Sequence, residues 1–326
     1  VSATAELLAD AGAAAAGEEF FRSRPFLEAE GVTHTLRIAT PDGAELLAPL
    51  IVRPIGDGPE RDAISPYGYP GLAPTPRVRV LSRDAKQNAN SAEGALVDPG
   101  TIDLSATGLV SVFLRHRLGA PPLAGATQRT LVQIADPALP SKSRPSDRRQ
   151  IRRNLEAGYE LSLFAGADTT PEQRAGFLDL YEQTMRRTAA AAHYFFSAAY
   201  FERILEADRT WLALAQAPGG SLAAASIATV SDGYLHYYLS GSADSHLSDS
   251  PMKNVLARLI EHSTDLGLPL NLGGGIAPGD PLEDFKRGFA NRTEPWSTSE
   301  LICDEEKYGL LSAGRDAAGF FPAYRG

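Results

Sequence analysis

The feature that most restricts the fold is a stretch in the second half of the chain whose hydrophobic period changes in a fixed order. Residues 211–215, 222–230 and 234–240 read as strands, separated by Pro218-Gly219-Gly220 and Asp232-Gly233, turn sequences of the kind that close hairpins. At Ser250-Pro251 the period becomes helical: Met252, Val255, Leu256, Leu259 and Ile260 fall on one face, and Gly267 ends the run. A short strand, Leu270–Leu272, then runs into Gly273-Gly274-Gly275, and a helix over 281–289 and a strand over 298–303 follow. A meander followed by alternating helices and strands predicts a mixed α/β domain whose sheet is largely antiparallel. It excludes an all-helical or an all-parallel one.

The first half is mainly strands. Residues 35–40 and 46–54 flank Thr40-Pro41-Asp42-Gly43, in which Pro fixes φ and Gly takes the left-handed position. Further strands are expected at 77–82, 109–116 and 129–135, whereas 56–76 is too rich in Pro, Gly and Tyr for either regular element. Residues 136–146 carry Pro and Ser in the manner of a domain connection. A helix over 146–157 then stops at Gly158, a strand covers 159–165, and Thr170-Pro171-Glu172-Gln173 has the form of a capped helix start. With 326 residues there is room for two domains. The expected division is 1–140 and 141–326, each half a mixed α/β lobe.

Composition narrows the function. Hydrophobic residues at 43% and charged ones at 22% suit an ordinary globular protein, and the net charge of −9 argues against a surface that grips nucleic acid throughout. One cation-rich segment stands out: Lys142, Arg144, Arg148, Arg149, Arg152 and Arg153. Such runs are usually solvated faces, but at a domain connection they suit phosphate or tRNA contact. The single Cys303 excludes an internal disulfide and every Cys-rich zinc site, and the six histidines form no HExxH pair, so no metal is expected. Residues 1–19, Ala-rich with four acids and no base, read as a loose helix or arm rather than a secretory signal. With no apolar run of about 20 residues to span a bilayer, a cytoplasmic location is the default expectation.

Five segments, in order, resemble the Fem family of aminoacyl transferases, within the Gcn5-related N-acetyltransferase superfamily. They are Ile64–Gly71 (ISPYGYPG), Arg149–Gly158 (RQIRRNLEAG), Leu180–Tyr200, His236–Ser242 (HYYLSGS) with Ser250-Pro251, and Leu272–Phe289 (LGGGIAPGDPLEDFKRGF). The resemblance implies two tandem acetyltransferase-like domains, with an acceptor groove in the first and an acyl-donor channel where neighbouring strands splay. It implies amide formation by transfer of an aminoacyl group from aminoacyl-tRNA to an amine of a cell-wall precursor or a small molecule. The donor is then a co-substrate, and no cofactor is implied.

Each candidate residue has a second reading. Lys286 matches the family's active-site lysine, placed to stabilise an oxyanion or a terminal phosphate, or it is a solvated helix lysine. Phe285 stacks on an adenine or belongs to the core. Tyr67 and Tyr69 line the acceptor groove or brace a turn, and Asp62 before them accepts the proton of the attacking amine or is a plain loop residue. His236 and Tyr237 alternate along the donor strand, so one of the two faces the channel; His236 is a candidate base or a core histidine. Ser240 follows on that strand. Arg149, Arg152 and Arg187 are candidate phosphate or carboxylate ligands, and Tyr194 lies in the Leu180–Tyr200 segment.

Attack on an activated ester needs no covalent nucleophile from the protein. Neither a Ser/His/Asp elbow nor an activated Cys303 is legible in the sequence. Two alternatives stay open: an N-acyltransferase using coenzyme A or a carrier thioester, and a non-catalytic module that binds tRNA or a nucleotide.

Overall fold

The computed structural model describes residues 2–75, 97–277, 279–315 and 319–326. In chain order the elements of the first part are β1 (Ala3–Leu8), α1 (Arg24–Ala29), β2 (His34–Ala39), β3 (Glu45–Pro54), β4 (Arg61–Ile64), β5 (Ala73–Pro74), β6 (Ile102–Asp103), β7 (Ser111–Arg115) and β8 (Thr127–Ala135). There follow α2 (Pro145–Glu156), β9 (Glu160–Ala165), α3 (Pro171–Arg187), α4 (Ala198–Leu205), β10 (Thr210–Gln216), β11 (Leu222–Ser231) and β12 (Tyr234–Ser242). The chain ends with α5 (Met252–Leu266), β13 (Leu270–Gly273), α6 (Pro281–Arg287), β14 (Arg292–Ile302) and α7 (Glu305–Ser312). The strand expected over 77–82 lies outside the described residues.

These elements form two compact units: Val1–Ala15, Glu30–Arg129 and Trp296–Gly326 make the first, Ala16–Ala29 and Thr130–Pro295 the second. They are not the contiguous halves 1–140 and 141–326. Residues 16–29 go with the second unit because Phe20, Phe21 and Phe26 pack on one another, and Phe20 and Phe21 pack on Tyr238 of β12. The last 31 residues return to the first because β14, from Thr298 to Ile302, pairs with β7. The Pro/Ser-rich stretch 136–146 is no boundary; it lies inside the second unit.

In the first unit the strands run in the order β6-β1-β2-β3-β4-β7-β14, antiparallel except for β1 with β6 and β4 with β7. Leu36, Ile38, Leu50, Val112 and Leu114 fill its core without exposure. β1 replaces the expected arm. Its weak intrinsic preference is overridden by five-residue pairing with β2 and by burial of Ala3 and Ala5.

The second unit orders its strands β8-β13-β12-β11-β10-β9, with β12 and β13 the one parallel pair. Its core packs Val255, Leu256 and Leu259 of α5 against Ala213, Ala228, Leu270 and Phe289. The predicted helical face of α5 is the buried one, and Gly267 caps it at φ +66°. At the start of α3, Thr170 and Gln173 form the expected capping box. On the other side, β12 lies so close to α3 that a Cβ at Gly241 would overlap the backbone of Leu180 and Tyr181. That explains the glycine in the segment 236–242. Both units are therefore mixed α/β with antiparallel-dominated sheets, as the sequence implies.

Candidate active site

The site of interest lies where β12 and β13 run together and then part. Their parallel register covers Leu235–His236 against Leu270–Asn271. Immediately beyond it, β12 carries a bulge: Ala228 of β11 faces Tyr237 while Ile227 faces Leu239, which leaves Tyr238 without an opposite residue. Beyond the bulge β12 stays paired with β11 as far as Ser242, while its pairing with β13 ends at His236.

Lys286 comes to this region from the last turn of α6. Its side chain is 8% exposed, and Nζ donates to the carbonyl of Gly274, just past β13, at 2.7 Å. A cation out of water with a single neutral acceptor among the described residues is costly. Desolvation lowers its pKa to about 8, against a smaller opposing effect from Asp280. It is not a solvated helix lysine. Asp280 itself is committed as the α6 cap and accepts from the N–H groups of Ile276, Ala277 and Glu283. Phe285 is half-buried, packs on the core formed around α5 and meets Phe289 edge-on at 5.8 Å between centroids, so its ring serves the core.

His236 is enclosed and both of its ring nitrogens are engaged. It is 1% exposed, its Nε2 lies 3.0 Å from the Ser231 carbonyl, and Asn271 approaches its Nδ1 at 3.0 Å. The carbonyl can only accept, so Nε2 carries the proton and Nδ1 accepts from the Asn271 amide. Desolvation holds its pKa down to about 4, which keeps the ring neutral. Its face meets Phe21 edge-on at 5.0 Å. Tyr237, the alternate residue, packs toward the α5 core, and its hydroxyl meets Ser240 Oγ at 2.6 Å. Desolvation pushes the Tyr237 phenol up to about 12, so it is a hydrogen-bonding group and not a titrating one at neutral pH.

Asp62 is not a loop residue. It sits in β4, fully buried, and pairs with Arg53 at 2.9 Å and with Arg325 at 2.5 Å. Tyr324 adds a third donor at 3.3 Å. Both of its oxygens are engaged by these guanidinium groups, the setting of a structural ion pair. In the same unit Tyr67 and Tyr69 are half-buried; the Tyr67 N–H donates to Glu30, and Tyr69 meets Trp296 edge-on at 5.6 Å.

The basic run divides in two. Arg148, Arg149, Arg152 and Arg153 project from α2 into solvent, and Arg149, Arg152 and Arg153 have no acidic partner among the described residues. Lys142 and Arg144 instead line a cleft of about 410 Å³ with Gln133, Arg287, Asn291 and Arg292. There Arg144 is paired with Asp284 at 2.7 Å, Arg287 with Glu283 at 2.9 Å and Arg292 with Asp136 at 2.8 Å. Arg187, from the last turn of α3, pairs with Asp244 after β12, and the Tyr194 carbonyl accepts from the Tyr181 hydroxyl at 2.7 Å. Asn271, Gly274, Arg287 and Arg292 are not among the candidates the sequence singles out; a lone Asn within a short strand carries no local signal. No cluster of metal-ligating side chains occurs among the described residues. None of their helices is long and apolar enough to cross a membrane.

Residues 141–287 match the family model for an acetyltransferase (GNAT) domain. No curated protein matches the sequence. Among solved structures, FemX is similar at a TM-score of 0.58 and 12% identity, over 88% of this chain and 93% of that one. L-PGS from Bacillus licheniformis is similar at 0.52 and 12%, over 83% and 85%. The C-terminal domain of a candidate lysylphosphatidylglycerol synthetase from Agrobacterium fabrum follows at 0.52 and 11%, over 90% and 89%. The match over residues 141–287 and the likeness to FemX agree on one point: the chain has the fold of FemX, with a segment that matches an acetyltransferase (GNAT) domain.

Proposed function

We propose that this acyltransferase forms an amide by moving an aminoacyl group from aminoacyl-tRNA to an amine acceptor. The observation that supports the reading is Lys286, a buried ammonium with one carbonyl partner among the described residues, at the end of β13. As the amine attacks the ester carbonyl, the carbonyl oxygen becomes an alkoxide, and a fixed cation in a dry site stabilises that charge more than water does. Collapse of the intermediate expels the ribose oxygen, which takes a proton. The acceptor's amine loses one, and the amide remains. Holding the two reactants together supplies several further kcal/mol of barrier reduction.

Two features favour tRNA over coenzyme A as the carrier. The exposed arginines 149, 152 and 153 of α2, without an acidic partner among the described residues, offer cations to a phosphate backbone. The loop from Ala243 to Pro251 has no glycine, and its proline removes one of the N–H groups that would cradle a diphosphate. Asp244 adds less repulsion than its charge suggests, because Arg187 pairs with it.

Purified protein incubated with charged total tRNA and a cell extract should form amide product that ribonuclease abolishes. Product formation insensitive to ribonuclease overturns the tRNA donor. Calorimetry supplies the complementary test: coenzyme A and acetyl-coenzyme A should show no micromolar binding, and such binding would favour the thioester-dependent alternative.

A further inference from the structure

A second cluster of reactive groups, built from the β10–β11 turn, the segment after β12 and Tyr159 just after α2, shares no residue with the Lys286 site and is not used in aminoacyl transfer. Ser221, exposed in the β10–β11 turn, has its Oγ 3.2 Å from His246 Nε2. The other ring nitrogen, Nδ1, lies 3.2 Å from the Tyr159 hydroxyl, and that hydroxyl donates to Asp249 Oδ2 at 2.7 Å. The proton positions follow from the donors available. A carboxylate only accepts, so the single phenolic proton of Tyr159 goes to Asp249. The phenol oxygen can then only accept from Nδ1–H. A neutral imidazole with its proton on Nδ1 presents a bare Nε2, and that atom faces the Ser221 hydroxyl.

The support behind this chain is buried and crowded with partners. The Asp249 carbonyl accepts from Gln150 at 3.1 Å and from Asn154 at 2.9 Å, and Asn154 also donates to the fully buried Asn254 at 2.7 Å. The next residue, Ser250, is held in the left-handed region at φ +50°, a conformation that a non-glycine residue keeps when its surroundings fix it. Burial and the Asp249 carboxylate push the Tyr159 phenol up to about 12, so the link stays protonated. Ser221 itself is exposed, and a Cβ built on the preceding Gly219 or Gly220 would meet nothing within 4 Å, so the turn that carries it is uncrowded.

We propose that Ser221 is a nucleophile that takes the acyl group from activated carboxylic esters, with His246 as its general base and Tyr159 and Asp249 as positioning residues. In the first step the Oγ–C(acyl) bond forms as the Oγ proton passes to His246 Nε2. The C–O bond to the leaving alcohol breaks, and that oxygen takes the proton back from Nε2. In the second step water attacks the acyl-serine, giving its proton to Nε2, and the carboxylic acid leaves as Oγ is reprotonated. The sum is ester plus water giving acid plus alcohol. The inference does not rest on the aminoacyl-tRNA reading.

The test uses the full chain with p-nitrophenyl acetate and a fluorophosphonate, followed by peptide mass spectrometry. The expected result is an adduct on Ser221 that forms at least tenfold more slowly in His246→Ala. In Tyr159→Phe, which removes one oxygen, kcat for ester hydrolysis should fall about tenfold with KM unchanged, a split that a merely structural role would not give. An adduct absent from Ser221, or one formed at the wild-type rate in folded His246→Ala, overturns the proposal. If His246→Ala does not fold, wild-type kcat in Tyr159→Phe overturns it instead.

Discussion

Asp62 in the first unit and Lys286 in the second are both charged, both buried and both legible as candidates in the sequence, yet their surroundings differ in kind. Asp62 is wrapped by two guanidinium groups and a phenol. Lys286 has one backbone carbonyl and no carboxylate within ion-pair distance among the described residues. A buried charge whose partners are complete holds structure together. A buried charge left underpaired has capacity for another negative group, and a reaction that develops one can use it. The partner set, not the residue type, separates the two roles.

The comparison can be broken by removing each group in turn. The largest effect on stability should come from Asp62→Ala, which strands two cations. Loss of one member of a buried pair costs 3–5 kcal/mol, and because Arg53 and Arg325 are partly exposed the lower end, about 3 kcal/mol, is expected in denaturant titration. A loss below about 1 kcal/mol would remove the structural reading of Asp62. Next is His236→Ala, which leaves the Ser231 carbonyl and the Asn271 amide unpaired in the interior and should cost about 2 kcal/mol. The turnover of the folded variant should stay within about threefold of wild type; a loss of a hundredfold would restore His236 as a base.

The smallest stability effect belongs to Lys286→Met, which keeps the volume and removes the charge: within about 1 kcal/mol of wild type at neutral pH. Turnover should fall at least about tenfold, a lenient threshold for one charged stabiliser of a transition state. pH sharpens the contrast. Because burial lowers the lysine to about 8, the folded chain holds fewer protons there than the unfolded chain between that value and the ordinary lysine value. Stability should therefore rise with pH across that window in wild type and lose that rise in Lys286→Met. Burial of His236 acts in the same sense at lower pH, with stability lost as pH falls toward about 4.

What the sequence made legible is what neighbouring residues decide. The capping box at Thr170, the buried face of α5 and the meander of β10, β11 and β12 all rest on spacings of a few residues. Lys286 was legible through its segment, but its burial was not, since it depends on how α6 meets the end of β13. Asp62 looked like a loop carboxylate because its second guanidinium partner is 263 residues away. The partner that fixes His236, Asn271, is 35 residues away and has no motif of its own. β1 was missed because alanine and leucine state no strand preference until β2 is beside them.

The account turns on the charge state of one side chain, and one measurement reaches it directly. The ratio of wild-type to Lys286→Met turnover in aminoacyl transfer, followed from pH 6 to pH 10, cancels the titration of the acceptor amine and reports the lysine alone. If the ammonium stabilises the oxyanion, the ratio is high at pH 6 and falls through an inflection near the value of about 8 set by burial. A ratio that rises through that range, as for a lysine acting as a base, or one that stays flat near unity, contradicts it.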